Sequence, residues 1–293
     1  MTKKLTDPQH YEDIADAIRL KNGSSDTYTP SQMAGAISVL PTGDNLGDSI
    51  DETLDKYIYN GDKTSFARQY QGSSIYAKDL TLVPITQYTT YAFAYNQSEK
   101  ISLPNATTGG RYSFYYCTKM KEINLPLTTK LYQNQFRNCT LLETVNIPAV
   151  VDMETNVFLD TPALKALYIP NCTNSCFSLN GAAIGATNLE ILDLAKNDNG
   201  FSAISRYIVG NNSKLTHLAI RSTTMVTLGN PVATAMATCP ITQGNGWVYV
   251  PRNLISSYQA ATNWSTLGTS QWRALEDYTV DGTITGDLDP SKI

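Results

Sequence analysis

The chain has 293 residues, of which 42% are hydrophobic and 16% are charged, and its formal net charge is -4 at pH 7. This apolar content predicts an ordered chain of one or two domains with a sizeable core. Binding to nucleic-acid phosphates depends on clustered lysine and arginine, so the acidic balance argues against nucleic acid as a partner. Eighteen tyrosines against two histidines favour recognition over proton-transfer chemistry.

The first residues carry no recognisable export or membrane signal. Lys3 and Lys4 are not followed by an apolar segment, and no run of about 18 apolar residues occurs in the chain. The sequence therefore predicts no membrane insertion. The five cysteines are an odd set, which favours a reducing site of synthesis over a disulfide framework.

Residues 1–41 are predicted to form a small helical hairpin. Asp7-Pro8 and Thr29-Pro30 are typical helix starts, and a narrow apolar stripe follows each. The stripe residues are Ile14, Ile18, Met33, Ile37 and Leu40. Such a hairpin buries little core by itself, so we expect an anchoring or assembly module that docks on another surface. A DNA-binding helix-turn-helix is the alternative, but its few basic residues are opposed by acidic ones.

Residues 42–64 are acidic and interrupted by glycines, as in Thr42-Gly-Asp-Asn and Gly47-Asp. This composition predicts a linker, or a helix that lies on a surface. We place the domain boundary here.

A repeat of 22 residues dominates residues 65–246, and its prolines stand at positions 104, 126, 148 and 170. The apolar pattern φxxφxφ, where φ is apolar, is the short strand of a leucine-rich repeat. Copies begin at Met120, Leu142, Leu164, Leu189 and Leu215, and the last two intervals lengthen to 25 and 26 residues. Loops or helical turns are predicted in these longer returns, around 182–188 and 203–209. The fold class is α+β, mainly β: a leucine-rich repeat solenoid with short parallel strands, preceded by the small N-terminal helical hairpin.

Each repeat also contributes one phenylalanine, eleven or twelve residues before its proline. The four are Phe93, Phe114, Phe136 and Phe158. Their spacing predicts a ring inserted beside each strand, so that stacked repeats share a continuous core. Cys117 and Cys139 occupy equivalent turn positions one repeat apart. Free buried thiols are favoured there over a disulfide bond.

Residues 247–280 are predicted to close the solenoid with a strand, a proline and an amphipathic helix. Leu254, Ile255, Tyr258 and Ala261 fall on one helical stripe that covers the open end of the core. Residues 281–293 are rich in glycine and aspartate and are predicted to be a loose tail.

The strands are predicted to present two rows of side chains on one face of the solenoid. Side chains on either side of the central strand residue point away from the core, and six strands give a strip of roughly 25 Å. The candidate binding residues of this strand face are Lys100, Ser102, Glu122, Asn124, Thr144, Asn146, Tyr168, Asp193 and His217. The alternative is a face that is merely solvated, because the rows are mixed and lack an aromatic run.

Catalytic and metal sites are not expected. His217 lies near Asp193 in the predicted rows, but no nucleophile with a neighbouring glycine-rich elbow accompanies it. Cys172 and Cys176 have the spacing of half a metal site, yet a second pair of ligands is absent. The sequence thus predicts no enzyme, no metal and no cofactor.

Two segments resemble known families. The repeat Phe-x-x-Cys-Thr-x-Leu-x-x-Ile-x-Leu-Pro closely resembles the BspA-like leucine-rich repeats of bacterial and phage surface proteins, over roughly residues 80–277. Residues 11–37, with Ile-Ala-x-Ala-Ile-Arg and Tyr-x-Pro-x-x-Met-Ala, resemble a short module common near the front of tailed-phage virion proteins.

Together these resemblances imply a structural protein of a phage particle, in the tail tip, baseplate or fibre, or in a head fibre or capsid decoration. The implied partners are other virion proteins, through the N-terminal module, and a host-surface glycan or protein, with homo-oligomers expected. A bacterial surface adhesin is the alternative and would need an export signal or wall anchor. A glycan depolymerase is the third reading and would need paired carboxylates in a groove.

Overall fold

The computed structural model describes residues 56–59, 65–66, 77–173, 188–196, 200–204 and 212–293, all within one compact unit, Ile50–Ile293. Their strands are β1 (Lys56–Tyr59), β2 (Ser65–Phe66), β3 (Asp79–Leu82), β4 (Gln87–Tyr88), β5 (Lys100–Ser102), β6 (Glu122–Asn124), β7 (Lys130–Leu131), β8 (Thr144–Asn146), β9 (Asp152–Met153), β10 (Ala166–Ile169), β11 (Ile191–Leu194), β12 (Ala203–Ile204), β13 (His217–Ile220), β14 (Thr227–Leu228), β15 (Trp247–Val250) and β16 (Trp272–Ala274). The α-helices are α1 (Val232–Ala235), α2 (Ile255–Ala260) and α3 (Leu275–Tyr278). Single 3-10 turns cover Pro240–Gln243, Arg252–Leu254 and Thr269–Gln271.

Several predicted features lie outside the described residues. These are the helical module with Ile14, Ile18, Met33, Ile37 and Leu40, most of the insertion at 182–188, most of that at 203–209, and Cys176.

The repeat strands form two parallel sheets. The first has the order β1-β3-β5-β6-β8, and the second has the order β10-β11-β13-β15-β16. Equivalent repeat positions face each other in register, so Lys100 pairs with Glu122, Glu122 with Thr144, and Ile191 with His217. The central strand residues point inward because they are the apolar members of the pattern. The leucine-rich repeat fold predicted from the 22-residue spacing is confirmed.

The solenoid begins earlier in the chain than the sequence predicted. β1 lies inside residues 42–64, which were predicted to be a linker, and it pairs in parallel with β3. The acidic run that suggested a linker ends at Asp55, and beyond β1 only Gly61-Asp62 has the same character. The following Tyr57-Ile58-Tyr59 consists of residue types that favour strands, and this explains the difference.

A second series of short strands runs along the return side of the coils. The pairs β2–β4, β7–β9 and β12–β14 form it, together with a bridge between Gln87 and Thr108. The predicted phenylalanine stack is also present and buried. Neighbouring ring centroids are 5.1 Å apart for Phe93 and Phe114 and 5.2 Å apart for each of the next two pairs, with nearly parallel planes. One core therefore extends through all these repeats.

The turn thiols are free and buried, as the sequence predicted. The Sγ of Cys117 donates to the carbonyl of Phe93 at 3.1 Å, and that of Cys139 donates to the carbonyl of Phe114 at 3.0 Å. Burial raises the pKa of the Cys139 thiol well above its usual value, so the group remains a protonated donor. Each thiol thereby joins one repeat to the repeat before it.

Every phenylalanine turn contains two residues in the left-handed backbone region, placed two positions before and two positions after the ring. All eight have φ between 55° and 65°: Tyr91, Tyr95, Tyr112, Tyr116, Asn134, Asn138, Asn156 and Asp160. In this conformation alternate amides of the turn donate hydrogen bonds to carbonyls of the next repeat. The Phe93 amide, for example, donates to the Ser113 carbonyl at 2.7 Å. The backbone of the turn is therefore fixed by the stack and not by the side chain that occupies it.

Helix α2 closes the core. Tyr258 of α2 is buried against Trp264 and Trp272, at ring distances of 5.7 and 5.3 Å, while Leu254 and Ile255 pack beside it half-buried. The Tyr258 hydroxyl accepts the amide of Val226 at 2.9 Å. None of the helices in the described part of the chain has the length and apolar character needed to cross a bilayer.

The last residues are not a loose tail. Residues 279–293, called the strap below, fold across the second sheet, where Leu288 is buried with Ala219, Tyr249 and Leu275. The glycines and aspartates that suggested disorder make local turns instead, as when Asp281 accepts the amide of Thr283 at 3.0 Å. These turns bring Ile284, Leu288 and Ile293 onto the sheet, whereas Val280 stays exposed.

Candidate recognition surfaces

The exposed part of the strand face is built from β5, β6, β8 and β10. Lys100 pairs with Glu122 at 2.9 Å, and both side chains remain largely in water. Asn124 donates to the Ser102 hydroxyl at 2.8 Å, and Asn146 donates to Asn124 Oδ1 at 2.6 Å. The predicted rows are thus real ladders, but many of their polar groups are already used between repeats.

Two further residues complete this exposed part. Thr144 is exposed on β8, and Tyr168 on β10 is 43% exposed. Burial raises the pKa of the Tyr168 phenol, so its hydroxyl stays protonated and can both donate and accept. Tyr168 is therefore the one large aromatic contact available among the predicted strand-face residues.

The strap covers the other part of the strand face. Asp193, predicted as an exposed binding residue, is only 2% exposed because Arg221 and the strap enclose it. Both carboxylate oxygens of Asp193 accept from the Arg221 guanidinium, at 2.6 and 2.7 Å. Asp193 is a structural ion-pair residue in this fold, which corrects its predicted role on an open binding face.

His217, predicted as a binding residue of the open strand face, is half-buried. Its ring packs between the rings of Trp247 and Tyr249, with centroids 5.3 and 5.8 Å away. Burial lowers its pKa, and Nδ1 lies 2.8 Å from the Thr216 hydroxyl. Nε2 is buried and has no hydrogen-bond partner among the described residues. This neutral ring therefore has a packing role.

A tyrosine cluster lies on the edge of the first two described phenylalanine turns. Its members are Tyr91, Tyr95, Tyr112, Tyr115 and Tyr116. Tyr91 stacks on Tyr112 at 4.9 Å, and Tyr95 stacks on Tyr116 at 5.6 Å. Tyr115 stands between these two stacks and meets all four neighbours edge to face, at centroid distances from 4.6 to 6.4 Å.

The cluster is open to solvent yet held in place. Tyr95 is 45% exposed and Tyr116 is 38% exposed. Ala94 takes the position in its repeat that Tyr115 holds in the next, so the first turn adds no ring there. Ring contacts on several sides restrict each side chain, so little rotamer entropy is lost when a ligand covers them. The arrangement suits recognition by stacking and by phenol hydrogen bonds.

Sequence reasoning missed this cluster, although a signal was present. Four of its members flank the core phenylalanines at the same repeat positions, where the following turns carry Asn134, Asn138, Asn156 and Asp160. Extending the repeat alignment beyond the strand and the phenylalanine would have shown that tyrosine replaces asparagine in two successive turns.

The described residues gather no set of three His, Cys, Asp or Glu side chains that would suit a metal ion. Acidic side chains near the two surfaces are paired with cations, such as Glu99 with Lys121 at 2.8 Å and Glu154 with Arg111 at 2.9 Å. The surfaces offer aromatic and hydrogen-bonding contacts.

Comparison with known proteins identifies the repeats. Residues 86–216 match the BspA type Leucine rich repeat region in six copies. The chain is also similar to the crystal structure of a leucine-rich repeat protein from Bacteroides ovatus, with 12% identity and a TM-score of 0.35. That alignment covers 72% of this chain and 54% of the Bacteroides ovatus chain, so it spans about half of that protein. No curated protein matches. The chain therefore carries BspA-type leucine-rich repeats.

Proposed function

We propose that this leucine-rich repeat protein is a recognition component of a tailed-phage particle, which attaches to the host surface through the tyrosine cluster. The observation that carries the recognition role is the backbone at Tyr91, Tyr95, Tyr112 and Tyr116. All four hold the left-handed conformation, which costs an L-residue about 1–2 kcal/mol. Asparagine and aspartate tolerate this region better and occupy it in the next two turns.

Ring packing alone is a weak reason to keep tyrosine at these positions. The six ring contacts of the cluster contribute about 0.5–1.5 kcal/mol each beyond their buried area, which is similar to the summed backbone cost at the four turn residues. Asparagine would give the same turn with less strain. Backbone strain of this kind is typical of functional sites. A binding role explains why tyrosine occupies these positions even though it does not make the fold more stable.

The place in a virion rests on a different part of the chain. Residues 11–37 resemble the N-terminal module of tailed-phage virion proteins, and on this basis the module would join the chain to other virion proteins. The repeats would then face outward, toward a host-surface glycan or protein, in a homo-oligomeric tail or head appendage. The proposal assigns no catalysis to the chain.

The exposed part of the strand face is a second candidate surface. Lys100, Glu122, Thr144, Asn146 and Tyr168 lie there side by side and in water. Several of its polar groups are already hydrogen-bonded between repeats and are less available to a ligand. We therefore rank this surface behind the tyrosine cluster.

The proposal is tested with the purified full chain, labelled with a fluorophore, on cells and isolated wall polysaccharide of the bacterium that carries the gene. Binding without release of sugars supports attachment. Release of reducing sugars would instead establish a glycan depolymerase, and absence of binding would overturn the recognition role.

The virion assignment has its own test. Particles released from the same culture by induced lysis are purified on a density gradient and analysed by mass spectrometry. We expect peptides of this chain in the particle band. Detection only in the bacterial envelope would contradict the phage assignment and favour a surface adhesin.

A further inference from the structure

A cleft of about 460 Å³ lies on the return side of the coils, next to the tyrosine cluster. Thr90 and Arg111 line it, and they directly precede Tyr91 and Tyr112 in the chain. Its volume falls in the range of small-molecule binding sites. The stacked pair Tyr91–Tyr112 therefore directly adjoins the cleft.

Two glycines line the cleft. Gly109 and Gly110 stand where the next repeat has Leu131 and Tyr132, five and four residues before the core phenylalanine. A Cβ on Gly109 would lie 2.6 Å from the Tyr88 ring, and a Cβ on Gly110 would lie 2.3 Å from the Thr90 amide nitrogen. The second described coil can approach the first this closely only because both side chains are missing.

The floor of the cleft is rigid. The buried Tyr88 ring lies beneath Gly109, and its hydroxyl accepts from Gln135 Nε2 at 2.9 Å, two repeats away. Edge-to-face contacts at 6.0 Å with Phe93 and 5.4 Å with Phe114 hold the ring in the phenylalanine stack. The cleft is thus shaped by the core and needs no ligand to form.

The charged groups in the wall neutralise one another. Arg111 Nε lies 2.9 Å from Glu154 Oε2, which also accepts the amide of Gln133 at 3.1 Å. Lys130 pairs with Asp152 at 2.8 Å and lies 3.6 Å from Glu154. A carboxylate ligand would have to displace Glu154 from Arg111, and a cationic ligand would compete with Arg111 and Lys130 for Glu154. Both kinds of charged ligand are therefore disfavoured.

The remaining wall groups both donate and accept hydrogen bonds. They are the hydroxyls of Thr89, Thr90, Thr108 and Tyr132 and the amide of Gln87. A ligand with many hydroxyls and no charge matches them. A peptide would instead need an apolar pocket or an open strand edge, whereas the cleft wall is made of hydroxyl, amide and paired charged groups.

We propose that this cleft binds one unit of a neutral oligosaccharide, whose following units lie on the tyrosine cluster. The inference rests on the proposed recognition function and names its ligand class. The tyrosine rings provide stacking surfaces for the apolar faces of the sugars, and the cleft provides the hydrogen bonds that select the terminal or branching unit.

The test uses the full chain and saturation-transfer NMR with neutral trisaccharides of glucose, galactose, N-acetylglucosamine and rhamnose. Trigalacturonic acid serves as the charged counterpart of galactotriose. We expect at least one neutral trisaccharide to bind, and trigalacturonic acid to bind at least tenfold more weakly than the neutral sugar that binds best. Binding of none of the four, or equal binding of the acid, would overturn the inference.

Two substitutions locate the binding. Thr90→Trp fills the cleft from an exposed wall position and should weaken binding of the trisaccharide at least tenfold, whereas Thr266→Trp, at an exposed position in the carboxyl-terminal cap, should not. Equal affinity of Thr90→Trp and the unchanged chain would contradict the cleft assignment. Attachment to bacterial cells is measured in parallel. If cells are bound but no trisaccharide is, the inference fails while the recognition function stands; if neither is bound, both fail.

Discussion

Arg221 and Asp193 form a bidentate ion pair inside the protein, with Nε–Oδ1 and Nη2–Oδ2 distances of 2.6 and 2.7 Å. The two residues belong to neighbouring repeats, and Arg221 also donates to the carbonyl of Ile284 in the strap at 2.8 Å. One guanidinium thus joins two coils and the carboxyl-terminal segment. Since its side chain is fully buried, the pair lacks the solvent that weakens surface ion pairs.

Replacing this arginine should destabilise the repeats and release the strap. Arg221→Ala leaves the Asp193 carboxylate buried without its partner, which costs about 3–5 kcal/mol. Thermal unfolding and hydrogen exchange of residues 284–288 measure the two effects. Lys165→Ala is the control, because Lys165 and Glu190 are exposed and 3.8 Å apart, and we expect a change below about 1 kcal/mol. Equal effects of the two substitutions would contradict this account.

Substituting a phenylalanine at the centre of the stack should lower the free energy of unfolding strongly. Phe136→Ala removes a fully buried ring that has neighbours at 5.2 Å on both sides, and we expect a loss of about 3–5 kcal/mol. Denaturant unfolding provides the measurement. Leu141→Ala, at a position 44% exposed, should change stability by less than about 1 kcal/mol. A loss below about 1 kcal/mol at Phe136 would show that the repeats do not share one core.

Stability should depend on pH through His217. Burial lowers the pKa of His217, so the unfolded chain takes up the proton first as the pH falls below about 6.5. The stabilising contribution of the neutral ring is complete above that pH and is lost as the pH falls through the folded-state pKa. His217→Phe keeps a ring between Trp247 and Tyr249 but cannot titrate. Its unfolding free energy should vary less between pH 5 and pH 8 than that of the unchanged chain, and an identical variation would count against this assignment.

The strand face should matter less for attachment than the tyrosine cluster. Asn146→Ala together with Tyr168→Ala removes one ladder hydrogen bond and the exposed ring, without touching the core. We expect cell attachment to fall by less than about threefold and the melting temperature to shift by no more than a few degrees. Loss of attachment with this double variant would move the principal site to the strand face.

Much of the fold could be predicted from periodicity. The apolar strand positions, the phenylalanine stack and the free turn thiols all follow from one period, because stacked repeats place equivalent residues in contact. The strap could not be found in this way. Its aspartates and glycines are typical of a disordered tail, and only the structure shows that Arg221 and the apolar patch around Ala219 and Tyr249 hold it.

The strand-face residues were predicted in the correct register, but register does not determine exposure. Asp193 occupies the same row as Asn124 and Asn146, yet a segment about 90 residues further along the chain covers it. The tyrosine cluster was missed for a related reason. Its tyrosines stand at positions where the neighbouring repeats have asparagine or aspartate. A repeat pattern is recognised from the positions that stay the same, so such a difference was overlooked.

The most direct test replaces tyrosine by the residue that the neighbouring turns use. Tyr95→Asn with Tyr116→Asn relieves the left-handed strain at two residues and removes one stacked pair together with its two edge-to-face contacts with Tyr115, so the two effects on stability should nearly cancel. We predict a melting temperature within a few degrees of the unchanged chain and a loss of attachment to host cells of about tenfold or more, or about 1.4 kcal/mol. Unchanged attachment by a stably folded double variant would contradict the central claim that the tyrosine cluster is the recognition site.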